Sequence, residues 1–517
     1  MRCLLLLASF RSRFRRWGLA LFALLLGVVV VSIAYEVEKF VVEVRHDCWR
    51  VLLFCVQHAV HCAPDSDHPF QMHNLCEHKT LSFTSSTHAV DAHFLRPSAQ
   101  QRLVATTPQG LTKSCPLTEP TNISSSFPAP LVLPHDDLSI DPSYPPQSLR
   151  AWIRLKDRNH VVSPRNVVYV AEPPAIHPRV ESMQSWTHPA RKNGGKTVKY
   201  PRITDVVEYL AAYYDGMPVK TLSSPGLSFV AWENSSVSRT SQSKTKKQQQ
   251  FVGLNISTEV IRIRTRASND KIFARQLNLD DLLDGAICIL PEDAYALIML
   301  VNHDLFEDED DEFVCGRAYG GSRVAVVSTA RYNPTLDLVQ DVERVHAWPA
   351  SHCTSYMRDC SALSESLPAA KKRKQIDLHP DEIISTGSSS PLHAAVSAHN
   401  ALPPLDPSPS NAALTSLWLG RVCRTVSHEL GHCFGIDHCT YYACGMQGSA
   451  SLSEDARQPP YLCPVDEVKL LHATGSTRDR HYSALLGVCE KHAEVHFFAA
   501  FGAWIRARLR MQNHLAS

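Results

Sequence analysis

The sequence predicts a mixed α/β fold, on three observations. Short β-branched or apolar runs at 167–170, 260–265, 294–301 and 323–328 read as strands. Segments with helical apolar spacing lie among them, at 203–214 and 277–283. A longer helix-compatible stretch, 414–426, leads into a histidine-rich segment. Strands that alternate with helices favour a mixed sheet over a bundle or a sandwich.

Each element has its own signal. Residues 167–170 (VVYV) combine β-branched and aromatic side chains. In 203–214 (ITDVVEYLAAYY) apolar residues recur every three to four positions. Ile261 and Ile263 alternate with Arg262 and Arg264, the period of a strand. The runs 294–301 and 323–328 read as buried strands. In 414–426, Leu417, Trp418, Val422 and Val426 keep helical spacing.

The chain has 517 residues, enough for one large domain or two to three ordinary ones. A net charge of +1 supplies no global field for nucleic acid, and none is expected as a partner. Pro (33) outnumbers Gly (21), which points to long loops. Sixteen Cys in so long a chain do not force a disulfide scaffold. The densely spaced ones are Cys423, Cys433, Cys439, Cys444 and Cys463. They surround the histidine segment, so metal binding competes with disulfide bonding.

The N-terminus is organised differently. Residues 1–16 are basic, with Arg11, Arg13, Arg15 and Arg16. Residues 17–35 are uncharged and mostly apolar; as a helix at about 1.5 Å per residue they cover roughly 28 Å, close to a bilayer core. This predicts an N-terminal apolar helix, a signal anchor or a signal peptide cleaved near Ser32 and Ala34. The basic flank places the N-terminus in the cytoplasm and the remainder in the lumen or outside, with a soluble intracellular protein as the alternative. Residues 36–147 read as a stalk and loop-rich region. A single domain is expected over 148–510, with polar insertions at 235–250 and 350–409.

Residues 427–449 read SHELGHCFGIDHCTYYACGMQGS. His428 and His432 are four apart, so a helix presents both imidazoles on one face. That suits a zinc ion. Gly435 supplies a positive φ that stops the helix, and His438 returns as third ligand. Three neutral histidines leave a fourth position for water. Glu429 follows the first His and serves as general base. Met446 lies eight residues past His438, where a Met-containing turn floors such a site. The pattern HExxHxxGxxH arises by chance about 10⁻⁴ times in such a chain, which rules against a chance cluster.

This segment, with PPYLCPVDEVKL after it, resembles the archaemetzincins, zinc peptidases of the metzincin clan. The resemblance covers roughly 148–490 and is strongest over 427–471. It implies a twisted mixed sheet, an active-site helix and a small C-terminal subdomain. It implies hydrolysis of a peptide or protein substrate by a monomer. It also implies a structural zinc on four cysteines, of which Cys439, Cys444 and Cys463 are present. Asp466 stands where the fourth is expected. The second site closes with Asp466, borrows a group such as Cys489, or is not formed. The strand 323–332 resembles the family's sheet edge above the metal. The competing function is a membrane-tethered zinc scaffold without turnover.

Overall fold

The structure, a computed structural model, describes residues 78, 80–110, 119–190, 198–223, 226–232, 250–365, 390–405 and 409–516. The basic segment 1–16, the apolar run 17–35 and nearly all of the insertion 235–250 lie outside these residues. Among the described residues, no helix is long and apolar enough to cross a membrane.

Two sheets form the frame. The first has five strands in the order Gly316–Tyr319, Val324–Ser328, Ala294–Val301, Val167–Ala171 and Val219–Thr221. Its pairs are parallel except for the edge hairpin, where Gly316–Tyr319 runs antiparallel to Val324–Ser328. All eight residues of Ala294–Val301 are buried. A parallel sheet covered on both faces requires such a continuous apolar run. The period of two then divides its side chains. Ala296, Ile298 and Leu300 join a core with the helices Ile203–Tyr213 and Asn411–Cys433. Leu297, Met299 and Val301 join a second core on the other face.

That second core is built against the other sheet. Its six strands follow the order Ala175–Ile176, Ser228–Ala231, Gln250–Asn255, Val260–Ala267, Arg275–Asn278 and Asp304–Phe306. Phe229, Leu254, Ile263, Leu277 and Leu305 fill the space with the helix Leu279–Cys288. Arg331 ties the sheets together. It follows the strand Val324–Ser328 and is fully buried. It meets Asp304 of the second sheet through Nε at 2.8 Å and Nη2 at 2.5 Å, and Asp270 through Nη1 at 2.5 Å.

Several expectations are corrected. One mixed sheet was expected, and Val260–Ala267 lies in a second one. The expected helix 277–283 begins two residues later, because Asn278 caps it by accepting from Asp281 N at 3.1 Å. The sheet edge is Gly316–Tyr319, not 323–332; Val324–Ser328 is an inner strand. The described part of 36–147 is not a separate stalk. Phe127 sits in the first core, with its ring 5.5 Å from those of Tyr461 and Trp504. The C-terminal helices Arg478–Lys491 and His496–Ala516 also share that core, so among the described residues no separate C-terminal core forms. Within the expected insertion 350–409, the helix Pro391–Asn400 buries Leu392, Ala395 and Val396, and packs on His496–Ala516.

Arg331→Met leaves the carboxylate of Asp304 buried without its cation. Loss of one partner of a buried pair costs about 3–5 kcal/mol. Denaturant unfolding should show a shift of that size, and a change under about 1 kcal/mol would remove the pair from the sheet junction.

Candidate metal centre

The helix Asn411–Cys433 carries the first two histidines. Ser410 caps its start, accepting from Ala413 N at 3.1 Å. Its end is a Schellman turn. Gly435 has φ +73°, Gly435 N donates to His432 O at 2.9 Å, and Ile436 N donates to Gly431 O at 3.1 Å. The chain reverses there and delivers His438. One ligand atom from each of His428, His432 and His438 lies within 4.8 Å of the others. Nε2 of His428 and Nε2 of His432 are 3.1 Å apart. Two nitrogens on one tetrahedral zinc stand roughly 3.3 Å apart, so this pair fits.

Backbone carbonyls orient the two rings. His428 Nδ1 lies 2.7 Å from Gly445 O, and His432 Nδ1 lies 2.8 Å from Ile436 O. Each contact makes Nδ1 the donor and leaves Nε2 as lone pair for a metal. Met446 lies beneath. A Cβ on Gly431 would come within 2.5 Å of Met446 Sδ, so only glycine admits the thioether against the helix. The Met turn is tied back by Cys439 N donating to Met446 O at 2.8 Å.

Glu429 lines the same cavity as His428 and His438, a space of about 310 Å³. Phe313, Tyr332 and the ion-paired Arg424 and Asp455 also line it. The carboxyl is 9 % exposed. Burial pushes it up to about 8, against a smaller opposing pull from Arg317.

A second cluster adjoins the first. Cys439, Cys444, Cys463 and Asp466 are all buried, with ligand atoms within 4.8 Å of one another. Cys439 Sγ and Cys463 Sγ are 3.5 Å apart. Asp466 Oδ2 lies 3.3 Å from Cys444 Sγ and 3.5 Å from Cys463 Sγ. Its Oδ1 accepts from Lys469 Nζ at 2.8 Å. This is the position expected of a fourth ligand, and Cys489 is not part of the group. Burial pushes the Asp466 carboxyl up to about 7, with Cys439 adding to the rise and Lys469 opposing it. Tyr441 and Tyr442 are buried in the first core, and the Tyr442 hydroxyl donates to Glu119.

Sequence reasoning missed the supports. Gln147 accepts from Asp437 N at 3.2 Å and from Lys469 Nζ at 2.9 Å, and donates to Gly435 O at 3.0 Å. It therefore links the third-histidine loop to the cysteine cluster. The signal for Lys469 was its place three residues after Asp466 on one helix face. Gln147 carries no such signal.

A three-histidine set on HExxHxxGxxH with a methionine packed against the helix is the arrangement of residues that metzincin zinc peptidases share. Residues 408–470 match the sequence model of peptidase family M54. Archaemetzincin-2 of Macaca fascicularis is 47 % identical over 73 residues, 14 % of this chain and 20 % of that protein. Archaemetzincin-2 of Mus musculus is 27 % identical over 196 residues, 38 % of this chain and 42 % of the relative. An archaemetzincin of Thermococcus kodakarensis is 41 % identical over 78 residues, 15 % of this chain and 40 % of its own. The chain thus spans less than half the length of each of these curated relatives. The crystal structure of archaemetzincin from Methanopyrus kandleri aligns with 60 % of this chain and 96 % of its own, at 17 % identity and a TM-score of 0.27. The chain is thus similar to peptidase family M54 over residues 408–470 and to archaemetzincin-2 over 196 residues.

Gly431→Ala forces the methionine off the helix. Supports behind a metal ligand are commonly worth 10–100-fold in affinity. Zinc competition against a chromophoric chelator should weaken by that factor. Unchanged affinity would remove Met446 from any supporting role.

Proposed function

We propose that this chain is a zinc-dependent metallopeptidase, with the metal on His428, His432 and His438 and Glu429 as general base. The observation that carries this reading is the convergence of His428, His432 and His438, with ligand atoms within 4.8 Å of one another, beside a cavity that His428 and His438 share with the buried Glu429. The imidazole set suits zinc, and zinc bound there supplies a Lewis acid and lowers the pKa of water near 7. Glu429 takes the proton of the attacking water and passes it to the leaving amine. Burial strengthens each of these charge interactions.

The substrate backbone lies along Gly316–Tyr319, the edge strand that begins at the cavity wall. An extended peptide adds to such an edge by main-chain hydrogen bonds. The buried Arg424–Asp455 pair gives the cavity a polar end. Cys439, Cys444, Cys463 and Asp466 hold a second, structural zinc, with the carboxylate as its hard ligand.

Glu429→Gln should cut peptide hydrolysis by about 10²–10⁴ and keep the zinc. His432→Ala should lose one zinc per chain. A wild-type chain that holds zinc yet hydrolyses no peptide in a mixed library would instead support the scaffold reading. A folded wild type without zinc would overturn both.

The apolar run 17–35 makes the protein a single-pass membrane protein with its catalytic part outside the cytoplasm in this reading. The full chain should stay with membranes under alkaline carbonate. Its release into the supernatant would remove the anchor.

A further inference from the structure

A third group of metal-binding side chains lies outside both clusters. Asp205 and Glu208 are three residues apart on the helix Ile203–Tyr213, so they share a face. His492 caps the end of the helix Arg478–Lys491, which packs against it. One ligand atom from each of the three lies within 4.8 Å of the others. Asp205 is 7 % and His492 8 % exposed. His492 Nε2 is buried and has no hydrogen-bond partner. A buried ring nitrogen left without a partner calls for a ligand. The ring is set against Phe498, with centroids 5.1 Å apart.

The carboxylates meet cations on long, exposed arms. Arg202 donates to Asp205 Oδ2 through Nε and to Oδ1 through Nη2, both at 2.9 Å, and its side chain is 72 % exposed. Lys491 pairs with Glu208, and its side chain is 53 % exposed. Both arms can swing into solvent without leaving a buried cation behind. A cation on an exposed, screened arm holds its partner weakly. A divalent ion would neutralise both carboxylates and take up the imidazole.

We infer that Asp205, Glu208 and His492 form a binding site for a divalent transition metal, zinc in preference to manganese. One imidazole with two carboxylates suits the nitrogen- and oxygen-loving divalent ions, and zinc stands above manganese in general affinity. The ion cross-links the helix Ile203–Tyr213 to the end of Arg478–Lys491. It also braces the catalytic scaffold, because Tyr214 at the end of the first helix donates to Ser427 O at 2.7 Å, beside His428.

The full chain, stripped of metal and titrated with zinc alone, tests this. Elemental analysis after desalting should give one zinc fewer in His492→Ala than in the wild type. The same difference should appear in a His432→Ala background, so this site and the histidine centre stand or fall separately. Equal counts with and without His492 overturn the site. Glu208 is half-buried and its partner arm is exposed, so Glu208→Gln should fold as the wild type does. It should weaken this zinc equivalent at least tenfold. Unchanged binding in Glu208→Gln overturns the proposal even if His492→Ala does not fold. Manganese should bind the same equivalent more weakly than zinc, and tighter manganese binding would overturn the stated preference.

Discussion

Everything at the metal centre depends on where one helix stops. The third imidazole can reach the first two only if the chain reverses within a turn of His432. Gly435 provides this with φ +73°, and the two Schellman bonds consume the carbonyls of Gly431 and His432. A side chain at position 435 would meet the strained left-handed region and the stem of Arg158, 3.1 Å away. Ile436, whose N–H makes the second Schellman bond, then orients the His432 ring through its carbonyl. The stop signal of the helix and the orientation of a ligand are thus one piece of geometry.

The same reversal creates the second cluster. His438 and Cys439 are neighbours, and so are Cys444 and Gly445, whose carbonyl orients His428. The loop between them is closed by Cys439 N on Met446 O. The methionine floor is therefore anchored at both ends by residues of the cysteine group. Three thiols and a carboxyl buried together carry a large desolvation cost once ionised. Lys469, 1 % exposed, supplies one compensating charge and spends a second hydrogen bond on Gln147. Gln147 in turn holds Gly435 and Asp437. Order at the cysteine cluster is passed to the histidine loop through these hydrogen bonds.

Legibility in the sequence followed the range of the interaction. The histidine motif could be read because helix period and a glycine turn set it locally. The strands at 167 and 294 could be read because burial on both faces demands uninterrupted apolar runs. The division of Ala294–Val301 between two cores could not, since a run apolar throughout hides its own period. The second sheet was missed because its outer strands, Ala175–Ile176 and Asp304–Phe306, are very short, and one polar stretch separates Ser228–Ala231 from Gln250–Asn255. Phe127 and Glu119 looked like loop because their partners, Trp504 and Tyr442, come from the far end of the chain. Gly316–Tyr319 is four residues long and takes its identity from its neighbour alone.

Burial also gives Glu429 its chemical character. In the protein matrix by itself, desolvation favours the protonated carboxyl and lifts it to about 8. A carboxyl that holds its proton there is a poor base at neutral pH. The imidazoles of His428 and His432 do not correct this, since burial and repulsion between the rings hold both below their ordinary value. A divalent cation on those rings reverses the local field and favours the carboxylate. Under the proposed function, metal on those rings therefore favours the charged form of Glu429 that a base requires. In that proposal a single buried helix turn, with imidazoles at 428 and 432 and a carboxyl at 429, links metal occupancy to the charge of the carboxyl without any moving part.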